Sequence, residues 1–128
     1  MNDLQKIDSL VAEKVMGWKL NKMGGFYYWV DEKGNDKARA STWQPTLCMS
    51  DAWQVVEKLE VISNSFYIGY KVDKNGKKIY RAFFQKEHPI TTIIHTYEAD
   101  AETAPLAICL AALKTVGIEI ETEESNNE

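Results

Sequence analysis

Ser65-Phe-Tyr-Ile-Gly-Tyr-Lys-Val-Asp-Lys-Asn-Gly-Lys-Lys-Ile-Tyr-Arg-Ala-Phe-Phe-Gln85 is the stretch on which the fold turns. Two β-favouring runs, Ser65 to Val72 and Lys77 to Gln85, flank Asp73-Lys74-Asn75-Gly76. Asn-Gly is the strongest short hairpin signal because both residues tolerate positive φ. A turn centred on Asn75-Gly76 sets Val72 opposite Ile79, Tyr70 opposite Arg81, Ile68 opposite Phe83 and Phe66 opposite Gln85 on one face. On the other it sets Lys71 opposite Tyr80, Gly69 opposite Ala82 and Tyr67 opposite Phe84. Large apolar groups then stand on both faces, whereas an antiparallel sheet with one wet face alternates apolar and polar residues. The expectation is an α+β fold, an antiparallel sheet with helices packed on both faces. Gly69 beside Ala82 makes a shallow place where a helix backbone or a flat ligand approaches closely, helix packing being the favoured of the two.

Helices to supply those layers lie on either side of the hairpin. Leu4, Ile7, Leu10, Val11, Val15 and Met16 form a helical stripe, with Asn2 or Asp3 as N-cap and Gly17 as the stop. Asp51 to Leu59 reads as a second helix, capped by Ser50, with Ala52, Val55, Val56 and Leu59 on one face. Ala104 to Val116 reads as a third, with Thr103 as cap, Pro105 in its first turn and Gly117 at its end. Every residue from Leu106 to Leu113 is apolar, so this helix lies deep in the fold or faces another copy of the chain. Self-association follows from the second alternative, and a homo-oligomer is expected. Phe26 to Val30 reads as a strand after Gly24-Gly25, Lys37 to Thr42 as its return, and Thr91 to Tyr97 as a further strand.

At 128 residues the chain has the length of one domain that folds without disulfide or metal; the domain is placed at 1–118, with 119–128 as an acidic, flexible tail. Its 45% hydrophobic and 27% charged residues are those of a globular protein. A net charge of −4 argues against a duplex-DNA binder. Cys48 and Cys109 stand far apart and outside any CxxC pattern, which makes them free thiols. With neither a leader pattern nor an apolar run of spanning length, the chain is placed in a cytosol, away from membranes.

Catalytic and metal chemistry find little support. His88 and His95 are separated by Pro89 and point to opposite sides of an extended strand, a poor start for a metal site. Glu98, Asp100 and Glu102 precede the third helix, where its dipole accounts for them. Gly24-Gly25 has neither the lysine nor the spacing of a phosphate loop. No cofactor, no metal and no enzymatic activity are expected. What remains is a basic and aromatic hairpin: Lys71, Lys74, Lys77, Lys78, Arg81 and Lys86 interleave with Tyr67, Tyr70, Tyr80, Phe83 and Phe84, against one acid, Asp73. Lys71 and Arg81 can hold an anion while Tyr70 and Tyr80 stack on a base; the competing reading is a solvated turn with Arg81 stacked on Tyr70. Trp43, in the loop before the second helix, is a further aromatic wall or a loop anchor at the edge of the core.

Leu10-Val-Ala-Glu-Lys-Val-Met-Gly-Trp18, Trp43-Gln-Pro-Thr46 with Asp51-Ala-Trp53, and Ala104-Pro-Leu-Ala-Ile-Cys-Leu-Ala-Ala-Leu113 together resemble the phage ABA-sandwich domain family of small phage and prophage proteins. The resemblance implies an α/β/α sandwich and a setting in the bacterial host cytoplasm; it transfers no reaction and no functional residues. The resulting expectation is a non-enzymatic counter-defence protein that sequesters a small phosphate-bearing, nucleotide-derived host signal. The alternatives are a protein inhibitor or regulator of a host enzyme and a single-stranded nucleic-acid binder.

Overall fold

The computed structural model describes residues 3–120 except Asn64. Along the chain run α1 (Asp3–Leu10, extended by one wider turn at Val11–Val15), β1 (Lys19–Met23), β2 (Phe26–Val30), β3 (Asp36–Arg39), α2 (Met49–Leu59), β4 (Ser65–Val72), β5 (Lys78–Glu87), β6 (Ile94–Ala101) and α3 (Ala104–Thr115). The strands form two antiparallel meanders, β1-β2-β3 and β4-β5-β6, so the fold is α+β. The proposed cap Asn2 and the tail from residue 121 onward lie outside the described residues.

The apolar stripe of α1 buries Ile7, Val11, Ala12, Val15 and Met16. Its last turn widens, with Met16 N–H bonded to Val11 O at 3.0 Å, and Gly17 at φ +76° lets Trp18 N–H reach back to Ala12 O at 2.9 Å. Only a residue without Cβ takes that backbone at no cost. The chain then enters β1 and turns tightly: Gly24 (φ +59°) and Gly25 (φ +87°) join Met23 to its partner Phe26 as a two-residue hairpin, the geometry that requires positive φ at both central positions. β3 returns against β2 with a bulge at Trp29/Val30. It starts one residue before the predicted Lys37 and ends at Arg39, where Asp31, accepting from Lys33 N and Asn35 N at 2.9 Å each, fixes the preceding loop.

Ser50 is not the cap of α2. The helix begins at Met49 with Cys48 at the N-cap position, and Asp51 in its first turn accepts a hydrogen bond from Gln44 N at 2.9 Å. That carboxylate stitches the preceding loop to the helix. α3 starts and stops as predicted: Thr103 Oγ1 accepts from Leu106 N, and Gly117 (φ +82°) directs Ile118 N–H to Leu113 O at 2.9 Å. Leu106 to Leu113 are all buried, with β5 and β6 on one side of the helix and α1 and α2 on the other. One chain therefore covers α3 all round, and its apolar girth needs no second copy. Ile108 and Leu113, fully enclosed, each stabilise the fold by roughly 1.5–3 kcal/mol.

The hairpin between β4 and β5 is real, but its register is one residue from the prediction. Asp73 pairs with Lys77 (Asp73 N to Lys77 O, 2.8 Å), leaving a three-residue loop Lys74-Asn75-Gly76 in which Gly76 alone has positive φ, +83°. The cause is the Asp73 carboxylate, whose Oδ1 accepts from both Asn75 N and Lys77 N at 2.9 Å, the habit of Asp at the start of a turn. A slip of one residue exchanges the faces of one strand relative to the other. Tyr70 now faces Tyr80, Ile68 faces Ala82 and Phe66 faces Phe84, while Gly69 faces Arg81, Tyr67 faces Phe83 and Lys71 faces Ile79. The first set lies with the buried Ala82, Phe84, Ala99 and Ala101 against α3. The second set shares its face with Thr96, Glu98 and Asp100 and meets solvent, Tyr67 being 52% exposed. The α+β class stands. The layer inferred for the hairpin's second face followed from the slipped register, and among the described residues no helix packs there. The hollow expected at Gly69 is occupied, since the Tyr67 ring lies over the place where a Cβ would stand.

Candidate functional site

The five residues singled out from the sequence do not converge. Tyr70 and Tyr80 pair across the strands on the α3 side near the turn, ring centroids 6.0 Å apart, with Lys78 Nζ 4.5 Å from the centre of Tyr70. Lys71 and Arg81 stand on the opposite, solvent-facing side. Arg81 is committed: Nε donates to Asp100 Oδ1 at 2.7 Å and an amino group donates to Oδ2 at 3.0 Å. That fork-on-carboxylate pair holds the Asp100 carboxyl below the usual range and raises Arg81 further. Lys77 bonds Glu102 at 2.7 Å, and Lys114 reaches Glu98 O at 2.7 Å. Glu98 and Asp100 thus lie in β6, where strand partners and not a helix dipole explain them. Trp43 is 4% exposed, donates Nε1–H to Gln54 Oε1 at 2.8 Å and packs on Trp18 at 4.8 Å.

Trp43 does reach a cavity, though not one involving the hairpin. A cleft of about 390 Å³ opens between α1 and the first sheet, with Gln5, Asp8 and Ser9 on the helix, Leu20, Tyr27 and Trp29 on the sheet, and Ser41, Trp43 and Gln44 in the loop that follows β3. Its size is that of a site for a small organic ligand. Trp29 and Trp43 belong to the core behind it, while Leu20 and Tyr27 are about half exposed at its mouth. Tyr27 and Trp29 share a face because they alternate with Phe26 and Tyr28 along β2.

Phe26 and Arg39 border the same cleft, from the hairpin end of the sheet. The Arg39 guanidinium lies 4.0 Å from the centre of the Phe26 ring, and Lys22 Nζ lies 5.9 Å from that of Tyr27. Among the described residues neither cation has a carboxylate partner. Both therefore keep their hydrogen-bonding capacity while resting on aromatic faces, a posture that suits an incoming anion.

Inside, Asp8 is 8% exposed and its Oδ1 accepts Thr46 N–H at 3.0 Å. Burial pushes its carboxyl above the ordinary range, the N–H and the hydroxyl of Thr46 both pull the other way, and the charge of Asp51 adds to the rise. The aromatic run of β2 was visible in the sequence, and Trp43 was singled out. Asp8, Gln5 and Ser9 do not stand out in the sequence, and Arg39 falls within the expected return strand. The available signal was the two-glycine turn at Gly24-Gly25, which folds β1 and β2 into a hairpin facing α1.

His88 serves its own loop, its Nδ1 accepting from Ile90 N and Thr91 N at 3.2 Å. Cys109 is buried in α3 and Cys48 is half-buried. No helix among the described residues is long and apolar enough to cross a membrane.

Set beside known proteins, residues 9–113 match the family model described as the phage ABA sandwich domain, a span holding both sheets, α2 and most of α3. A 2.0 Å crystal structure described as that of a phage protein from Bacillus cereus ATCC 14579 is similar over 94% of this chain and 94% of its own, with a TM-score of 0.63 and 24% identity. That likeness shows the fold. Among curated proteins none matches.

Proposed function

Because the chain belongs to the phage ABA sandwich domain family, we propose that it is a phage-encoded, non-enzymatic binding protein of the host cytoplasm that sequesters a small phosphate-bearing, nucleotide-derived signal in counter-defence. The observation carrying this reading is the cleft beside α1: aromatic walls from Tyr27, Trp29 and Trp43, with Arg39 and Lys22 near its mouth on the faces of Phe26 and Tyr27. A planar base fits against the aromatic residues by stacking, and a phosphate meets the guanidinium in two-pronged fashion. This moves the anion-binding role from Arg81, which is held by Asp100, to Arg39. Isothermal titration against cyclic nucleotides and ADP-ribose derivatives tests it. Binding that Arg39→Ala weakens and Arg81→Ala leaves intact is the expected result; no binding across the panel overturns it.

A second reading, a protein inhibitor or regulator of a host enzyme, is favoured by the solvent-facing side of the second sheet, where Tyr67 stacks on Phe83 at 5.1 Å beside the Arg81–Asp100 pair. Exposed aromatics flanked by an arginine are frequent anchors of protein interfaces. A stoichiometric host enzyme retained by the native protein and lost with Tyr67→Ala supports this reading against the first.

A further inference from the structure

The outer edge of a sheet is a row of unpaired N–H and C=O groups that invites another strand, and proteins guard such edges with short strands and charged side chains. Among the described residues the outer strands are β1, β3, β4 and β6, and three of them are guarded. β1 and β3 are only five and four residues long; the first carries Lys19 and Lys22, the second Asp36, Lys37 and Arg39. β6 carries Glu98 and Asp100, and the Lys114 ammonium takes the Glu98 carbonyl at 2.7 Å. β4 has none of these devices. It is eight residues long, Lys71 is its one charged side chain, and Tyr67, Tyr70 and Val72 along it are each more than half exposed, an apolar stripe of the kind that marks an interaction surface.

Beside this edge lies a groove of about 360 Å³ between Trp53, Val56 and Glu60 of α2 and Phe66 and Phe84 of the sheet. Trp53 stands edge-on to Phe66 at 6.1 Å and remains 46% exposed. An occupant that completes both features brings an extended backbone for the edge and a large ring for the groove. A second β4 brings both. About a two-fold axis normal to the sheet, β4 meets its own copy antiparallel, and each face stays on its own side. With the axis at Ile68, Phe66 stands opposite the partner's Tyr70, Tyr67 opposite the partner's Gly69, and Ser65 opposite the partner's Lys71. Tyr70 shares the face of Phe66, so its ring is directed at the groove under Trp53. No like charges meet, because the one cation of the strand faces a serine. An axis at Gly69 sets glycine against glycine and Phe66 against Val72, which leaves the groove without an aromatic ring.

We propose that the outer edge of β4 is a self-association surface, through which two copies of the chain join their three-stranded sheets into one of six strands, with Tyr70 of each copy seated beside Trp53 and Phe66 of the other. The surface is separate from the cleft beside α1, so the proposal does not depend on the sequestration reading.

Sedimentation equilibrium and light scattering on the full chain test it. The native protein should be a dimer at micromolar concentration. Ser65→Lys, at an exposed position, sets lysine opposite the partner's Lys71 at both ends of the pair and should raise the dissociation constant by roughly tenfold or more. Adding Lys71→Glu turns both contacts into opposite charges and should restore the native value, a recovery that damage to the fold by Ser65→Lys could not produce. A native monomer overturns the proposal and leaves the edge to an extended segment of another protein. A dimer indifferent to Ser65→Lys, or a loss that Lys71→Glu does not restore, overturns it as well by taking the contact away from this edge and register.

Discussion

Both sheets are antiparallel meanders of three strands with an aromatic run beside a turn, yet they spend their side chains in opposite ways. In β4-β5-β6 the aromatics that matter for stability, Phe84 and Phe66, pack on each other at 4.9 Å over α3; Arg81 is tied to Asp100 and Lys77, just before β5, to Glu102, while Lys78 rests on Tyr70. In β1-β2-β3 only Trp29 is fully buried; Phe26 and Tyr27 stay half exposed and their neighbouring cations, Arg39 and Lys22, rest on rings. The second sheet is a wall of the core with its arginine neutralised locally. The first is lined with groups whose interactions are incomplete, and incomplete interactions are what a ligand can finish. Density of positive charge in the sequence is therefore a poor guide to a site, because charge available to a ligand is what remains after neighbours have taken their share.

The largest test of this contrast is by truncation. Phe84→Ala should lower stability by about 3–5 kcal/mol, the range for removing a buried phenylalanine, whereas Phe26→Ala should stay within about 0.5 kcal/mol, as exposed positions do. Urea unfolding of the two variants measures both. A Phe26 loss comparable to that of Phe84 would mean that the first sheet is core wall as well, and the division would fail.

Next in size is the exchange of arginines. Arg39→Ala should weaken nucleotide binding by roughly tenfold, about 1.4 kcal/mol, without moving the unfolding midpoint. Arg81→Ala should leave affinity in place and cost a fraction of a kcal/mol in stability. The reverse outcome, affinity lost with Arg81 alone, would return the site to the hairpin.

How far the sequence could be read follows the same line. Helix stops at Gly17 and Gly117, the Thr103 cap and the all-apolar α3 were legible because each is a local rule that one or two residues decide. The hairpin was legible too, but its loop length was not settled by Asn75-Gly76: a two-residue and a three-residue loop both place Gly76 at positive φ, and the choice belongs to the Asp73 side chain. Asp73 had counted only as the hairpin's single acid. Arg81 looked free because its partner, Asp100, arrives from a strand that the reading ended at Tyr97. The cleft was hidden for a similar reason, as it joins α1 to the loop after β3 across a distance that no local pattern spans.

The turns separate the sheets by a smaller amount. Gly76→Ala, with open space around the new methyl group but φ at +83°, should cost roughly 1 kcal/mol from backbone strain alone, and Gly76→Asn should recover part of it because Asn tolerates that region. Thermal unfolding reads both. Equal losses for Ala and Asn would place the cost elsewhere than in the left-handed backbone.

The smallest expected effects concern two carboxylates whose signs oppose each other. Asp100, held below its ordinary 3.8 by Arg81, stabilises the fold above that unfolded value, and the contribution fades as pH falls through the lower folded value. The pair is more than a third exposed, so Asp100→Asn should cost less than about 1 kcal/mol at neutral pH and nothing in strong acid. Asp8, raised above 3.8 by burial, contributes stability that is complete below the unfolded value and is lost as pH rises through the higher folded one. Asp8→Asn should therefore gain on the native protein between acid and neutral pH, while Asp100→Asn falls behind it. Urea midpoints across that interval check the two slopes. Like signs would show that the Thr46 hydrogen bonds outweigh burial at Asp8, and the contrast between the buried carboxylate of α1 and the paired one of β6 would fail.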